Sequence, residues 1–227
     1  MKIGIVTIYN VPNYGAILQA YSLAEYLRRE GHEVVLFNVD SPKRHPYIYK
    51  LKRLFKLGFI DKFQQRNYPA ITSNLNEEVD IYMVGSDQVW NIEITQADYD
   101  KYFLAFALHN RKVSYAASFG NNEWDFPSKR NEIRGFLSAF KYITVREEMG
   151  VNILKDEFNM KGNCVLDPCF LLDGNDFLFG KIIESKKILV SYKLSYDRFY
   201  DLELRKLGKM LGCKVNRLRY KYVSSLP

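Results

Sequence analysis

The opening forty residues place the tightest limit on the fold. KIGIVTIY is an apolar run suited to a strand buried on both faces. YGAILQAYSLAEYLRREG follows with apolar residues at the helical period and a stop at Gly31, and EVVLFNVD is a second apolar run. Strand, helix and strand joined by short connections form a βαβ unit, which commits both strands to a parallel sheet. The alternation continues through VDIYMVG, RKVSYAASFG, the helical SKRNEIRGFLSAFKY, then ITVREEMGVNILKDE and NCVLDPCFLL. Short two-faced strands separated by helical segments predict an α/β chain built on a Rossmann-like, doubly wound parallel sheet.

This reading assigns residues 1–174 to an N-terminal Rossmann-like domain. It assigns 175–186 to a polar connector and 187–227 to part of a second, incomplete Rossmann-like domain: a strand KILVSYKL, a helix YDRFYDLELRKLGKML and a further strand in CKVNRLRYKYV. Two strands and one helix do not bury both faces of a sheet.

Charge marks one segment off from the rest. Between Ser41 and Ala70 lie eight basic residues and one acid, a net +7 that equals the formal charge of the whole chain. Within it Ile48, Leu51, Leu54 and Phe55 follow helical spacing, so 41–70 reads as a basic helical insertion projecting from the sheet. Residues 43–66 then either contact an anionic membrane peripherally or form a solvated face over a docked apolar stripe. Neither a helix-turn-helix nor an RNP-type strand motif accompanies the charge, so nucleic acid is not an expected partner.

Other classes are set aside on composition. No run approaches the ~18–20 apolar residues of a membrane span, and MKIGIVTIYN leads into a strand where a leader would be, so the expected location is cytoplasmic, with peripheral attachment at the inner membrane face open to the basic segment. Three scattered cysteines make no disulfide framework, and no His, Asp or Glu cluster has metal-ligand spacing. A dinucleotide oxidoreductase would place Asp40 on a ribose, yet VPNYGA supplies one glycine where that fingerprint needs three.

In parallel α/β sheets, ligands bind outside the carboxyl ends of the strands. Four stretches fall there. NVPNYGA joins the first strand to the first helix and brings Asn13, with Gly15 permitting close backbone approach to an anion. VGSDQVWN places Ser86, Asp87 and Trp90 at a strand's exit, and SYAASFG ends the next strand with Ser118. TVREE sets Arg146 just past Val145, where its guanidinium either binds a carboxylate or phosphate or pairs with Glu147 or Glu148. Asp87 is either a functional carboxylate or a cap on the following turn, and Trp90 either stacks on a ligand from a partly exposed position or fills the core.

Together NYGAILQAYSLAEYL, VGSDQVWN, SYAASFG, TVREE and VLDPCFLL, in this order, resemble the polysaccharide pyruvyl transferase family from Met1 to about Leu172. The resemblance implies a GT-B-type chain of two Rossmann-like domains, in which a pyruvyl group passes from phosphoenolpyruvate to two hydroxyls of a sugar during cell-surface exopolysaccharide assembly. It implies no cofactor beyond that donor, and a sugar or lipid-linked glycan as acceptor. Under it Arg146 binds phosphoenolpyruvate, Asp87 orients or deprotonates an acceptor hydroxyl as the candidate catalytic residue, and Trp90 meets a sugar face. Asn13, Gly15, Ser86 and Ser118 complete the expected substrate-binding set. The family's second-domain histidine has no counterpart here, because His32, His45 and His109 all precede that region, and Cys169 stands where a threonine is expected after Asp167-Pro168. The alternative is therefore a non-catalytic remnant or one half of a split enzyme.

Overall fold

In the computed structural model, which describes residues 1–11, 13–40, 58–107, 111–177, 187–193 and 198–219, six strands build one parallel sheet. They are β1 (Lys2–Val6), β2 (Glu33–Phe37), β3 (Ala70–Thr72), β4 (Ile81–Val84), β5 (Lys112–Ser114) and β6 (Phe140–Tyr142), hydrogen bonded in the order β3-β2-β1-β4-β5-β6. This is the doubly wound, Rossmann-like parallel sheet predicted by the alternating pattern. Connections leave β1 toward one side and β4 toward the other, so the gap between their carboxyl ends is the topological switch point.

Each strand's place follows from its side chains. Ile3, Ile5 and Val6 of β1 are buried, and at Gly4 between them any side chain would collide with the ring of Phe37 on β2. Helix α1 (Tyr14–Arg29) crosses from β1 to β2 and buries Ile17, Ala20, Tyr21, Leu23, Ala24 and Leu27. Asn13 caps its start, accepting from the Gly15 and Ala16 N–H groups at 2.8 and 3.4 Å. Gly31, at φ +82°, lets the chain turn off the helix into β2.

The basic segment is only partly described: 41–57 lies outside the described residues. Its last third is α2 (Gly58–Asn67) followed by β3, and this part does not project. Phe63 is buried edge-on against Tyr21, Gln64 Nε2 donates to the Tyr9 carbonyl at 2.9 Å, and the Tyr68 hydroxyl donates to the Ile17 carbonyl at 3.0 Å. The expectation of a protruding helix is corrected for 58–66 alone, because the aromatic residues at 63 and 68 hold this part against α1 on the way into β3.

Trp90 is a second correction. It is 0% exposed, stacked on Phe103 with ring centres 5.5 Å apart and 7° between planes, and tilted against Phe119. Its indole N–H donates to the Tyr102 carbonyl at 3.3 Å. After Asp87 the chain folds back under the sheet end, with Trp90 N–H donating to the Ser118 carbonyl, so the indole fills the core beneath the edge. Two short helices, α3 (Ile92–Thr95) and α4 (Tyr99–Tyr102), complete that lid on the core.

The carboxyl half of the sheet is displaced from the amino half. Helix α5 (Arg130–Leu137) leads into β6, and the chain then steps sideways at Ile143 to form β7 (Thr144–Val145), which precedes α6 (Glu148–Phe158) and pairs with β8 (Asn163–Cys164). Isolated bridges Asp87–Ala117 and Ala117–Val145 join this second tier to the exits of β4 and β5. Two hydroxyls make the step possible. Ser114 Oγ donates to the Thr144 carbonyl and accepts from its N–H, both at 3.0 Å. Thr144 Oγ1 donates to the Ser114 carbonyl at 2.8 Å and accepts from Ala116 N–H at 3.1 Å. Backbone groups that a regular ladder would satisfy are thus satisfied by side chains.

The chain divides into two compact units, Met1–Asp173 and Gly174–Pro227. The second contains β9 (Ile188–Lys193), α7 (Arg198–Met210) and β10 (Lys214–Arg219), with β9 and β10 paired in parallel. Leu204 is buried, Gly208 admits Val215 against the helix backbone, and Arg217 pairs with Asp201 at 3.0 Å. Among the described residues no helix is long and apolar enough to cross a membrane.

Thr144→Val keeps the side-chain shape but leaves the Ser114 carbonyl and the Ala116 N–H without their partner. Urea denaturation is expected to show a loss of about 1–3 kcal/mol, with Thr144→Ser losing less. An unchanged midpoint for Thr144→Val would mean that the hydroxyls do not hold the step together.

Candidate functional site

The switch point is wired by a continuous run of hydrogen bonds. Thr7, just past β1, donates its hydroxyl to the Ser86 carbonyl at 2.8 Å, and Gln19 of α1 donates to Thr7 Oγ1 and to the Ile8 carbonyl, each at 3.0 Å. Ser86, just past β4, donates to Asp167 Oδ2 at 2.8 Å and accepts from Arg146 Nη1 at 3.3 Å. Arg146, just past β7, places Nε 2.6 Å from Glu147 Oε1 and Nη1 3.5 Å from Asp167 Oδ2. Its backbone N–H donates to the Ala117 carbonyl, so the second tier of the sheet fixes where the guanidinium starts.

The Arg146 side chain is 28% exposed, and among the described residues its Nη2 has no hydrogen-bond partner. Its charge is held firmly. Burial, the largest influence, opposes the positive charge, but the carboxylates of Glu147, Asp87 and Asp167 together raise its pKa.

Asp87 is the unusual member. Its backbone has φ +77°, a left-handed conformation that aspartate tolerates better than most side chains, and it bridges Ala117. Oδ1 accepts from the Gln88 N–H at 2.8 Å, so the capping role holds for one oxygen. Among the described residues Oδ2 has no partner. Burial pushes its carboxyl above the usual range, with Asp167 and Glu147 adding to the rise while the Gln88 N–H and Arg146 oppose it. A strained, desolvated carboxylate beside a part-open guanidinium is an arrangement that costs stability, and such costs concentrate at functional sites.

Of the seven residues singled out in the sequence, Ser86, Asp87 and Arg146 come together. Ser118 lies on the neighbouring exit but is buried, its hydroxyl accepting from the Gly120 N–H at 3.0 Å, which makes it part of the turn. Asn13 and Gly15 are engaged with each other as the cap of α1, at the carboxyl end of the adjacent β1. Trp90 is underneath. The two readings of Arg146 prove compatible, since it pairs with Glu147 and still leaves one nitrogen open.

Sequence reasoning missed Thr7, Gln19 and Asp167. Asp167 caps the 3-10 turn Pro168–Leu171, its Oδ1 accepting from the Cys169 N–H at 3.0 Å, and the Asp-Pro step was the available signal. That turn packs on α1, and burial, with Asp167 beside it, pushes the Cys169 thiol up to about 12. Asp40, the rival ribose ligand, is taken by the Tyr102 hydroxyl at 2.8 Å. His32 sits before β2 at the opposite, amino edge; His45 and His109 lie outside the described residues. Among the described residues no group of three or more His, Cys, Asp or Glu is arranged to hold a metal ion.

The sequence model of the family described as polysaccharide pyruvyl transferase matches residues 13–224. No curated protein gives a significant match.

The raised Asp87 carboxyl predicts a pH signature. Between the ordinary carboxylate value and the raised folded value, the folded chain keeps a proton that the unfolded chain has lost, so stability falls as pH rises through that window. Asp87→Asn, which tolerates the left-handed backbone, is expected to melt at a higher temperature than the parent at neutral pH. The advantage should disappear as pH falls below the ordinary carboxylate value. A parallel pair of melting curves at every pH would contradict the burial argument.

Proposed function

The chain belongs to the polysaccharide pyruvyl transferase family, and on that premise we propose that it handles phosphoenolpyruvate as donor and a glycan sugar as acceptor, forming a pyruvate ketal. One observation carries the reading: at the switch point an open guanidinium nitrogen of Arg146 lies within electrostatic reach of an open carboxylate oxygen of Asp87. The donor has a carboxylate and a phosphate, and either suits the guanidinium. A sugar hydroxyl suits Asp87.

The chemistry balances as follows. The donor methylene gains a proton and becomes a methyl group, leaving positive charge at C2. One acceptor hydroxyl bonds to C2 and releases its proton, the C2–O bond to phosphate breaks with its electron pair going to phosphate, and the second hydroxyl bonds to C2 and releases its proton. Two protons leave the hydroxyls, one replacing that taken up by the methylene and one leaving with phosphate. Asp87, whose burial makes it a stronger base than an exposed aspartate, is the group suited to take a hydroxyl proton. Arg146 supports charge on the departing phosphate without itself changing protonation.

The charge balance limits how tightly this edge alone holds a trianion, since one guanidinium stands among the carboxylates of Asp87, Glu147 and Asp167. A second reading, donor binding without turnover, is favoured because among the described residues no histidine joins the cluster, His32 lying at the opposite edge. Peripheral attachment to anionic lipid through 43–66 rests on sequence charge, and it would bring a lipid-linked acceptor to the site.

Two experiments test these readings. NMR titration is expected to give phosphoenolpyruvate binding that is roughly millimolar or weaker, because one charge-assisted contact contributes about 1.5–3 kcal/mol. Arg146→Ala should abolish it, and no phosphate should be released with sugar acceptors present. Binding that survives Arg146→Ala removes Arg146 from the donor site, and phosphate release by this chain overturns the second reading. For lipid, sedimentation with anionic vesicles should show binding that weakens steeply between low and physiological salt; no binding at low salt would reduce the basic segment to a solvated face.

A further inference from the structure

With Trp90 in the core, the aromatic surface at this edge belongs to another residue. Phe170 is 72% exposed and Leu166 is 67% exposed, on either side of Asp167. We propose that Phe170 is the platform on which the acceptor sugar lies, with its apolar face on the phenyl ring and its hydroxyls toward the carboxylates of Asp167 and Asp87. This inference rests on the glycan-acceptor reading above.

Three observations carry it. First, the position of Phe170 is fixed by the site itself. Its backbone N–H donates to the Asp167 carbonyl at 2.9 Å, Asp167 Oδ1 caps the turn through Cys169, and Asp167 Oδ2 accepts from Ser86 and faces Arg146. The exposed ring is therefore one 3-10 turn along the chain from the carboxylate that caps that turn, about 6 Å of rise. A single sugar ring spans such an interval.

Second, the turn is a rigid support. Pro168 is buried and Cys169 is half-buried against α1, while Phe170 alone among these three residues is turned outward. A phenyl ring held in water by a pinned turn carries a desolvation gain into whatever covers it.

Third, the surroundings select the occupant. Oδ2 of Asp87 is unpartnered among the described residues, and while ionised the carboxylate accepts and does not donate. An acyl chain laid on Phe170 and Leu166 would abut carboxylates that it has no donor to satisfy. A sugar offers an apolar face of C–H groups on one side and hydroxyl donors around its rim, matching both halves of the surface.

Saturation-transfer NMR on the full chain, with the methyl glycosides of glucose, galactose, mannose and N-acetylmannosamine as probes, tests the proposal. At least one glycoside is expected to receive saturation from aromatic protons. Phe170→Ala and Phe170→Leu should weaken its binding about three- to tenfold, Phe170→Tyr should retain it, and phosphoenolpyruvate titrations should be unchanged in all three. Exposure of the ring makes misfolding an unexpected outcome of these changes, and the donor titration doubles as a check on site integrity. Absence of transfer to every glycoside overturns the proposal, as does equal binding by the parent and Phe170→Ala. Loss of donor and glycoside binding together also overturns it, since Phe170 would then only hold the turn in place. If phosphoenolpyruvate fails to bind the parent while glycosides still depend on the ring, the donor reading falls and the platform stands.

Discussion

Everything at the candidate site depends on how Ser114 and Thr144 hold the sheet together where its ladder breaks. The strand that neighbours β5 is interrupted between β6 and β7, and Arg146 follows directly from the second piece. The sidestep at Ile143 brings Val145 against Ala117, and Ala117 against Asp87, so the exits of β4, β5 and β7 lie side by side. Three hydrogen bonds between Ser114 and Thr144, and a fourth from the Ala116 N–H to the Thr144 hydroxyl, make this sidestep affordable in a buried sheet.

The charge arrangement follows from that placement. Asp87, Glu147 and Asp167 reach one guanidinium from the exit of β4, the start of α6 and the turn after β8, and they are not redundant. Glu147 and Asp167 engage Nε and Nη1 and set the plane of the group, while Asp87 remains half-committed, with one oxygen on a backbone N–H and the other open. Holding a carboxylate in that state, on a left-handed backbone and largely out of water, is unfavourable. The fold bears this cost through the aromatic core beneath, where Trp90 stacks on Phe103 and tilts against Phe119, and Trp124 meets Phe119 and Phe158 edge-on. The buried tryptophan thus serves the site as its foundation.

How much of this was legible in the sequence differs by element. β1, α1 and β2 were plain, because apolar periodicity and Gly31 are local signals that burial reinforces. The family-resembling segments also put Ser86, Asp87 and Arg146 on the right edge, since strand exits are readable wherever strands are. Trp90 was misplaced because its burial is decided by Phe103 and Phe119, which lie 13 and 29 positions away in the chain. The step between β6 and β7 gave no local warning, as FKY reads as the end of the preceding helix with a strand starting only at ITV, whereas Phe140–Tyr142 is itself a strand. Asp167 was overlooked because its importance comes from Ser86, 81 positions earlier. Such contacts are long-range facts, visible only when the fold closes.

The central claim is that the strained carboxylate of Asp87 and the open arm of Arg146 form one electrostatic unit that receives the donor. Its most direct test is the titration of the Asp87 carboxyl carbon by 13C NMR, with and without phosphoenolpyruvate. The account predicts a pKa above the usual carboxylate range in the free chain, rising further when an anion occupies Arg146 and brings negative charge next to Asp87. An ordinary pKa that does not respond to saturating donor would contradict it.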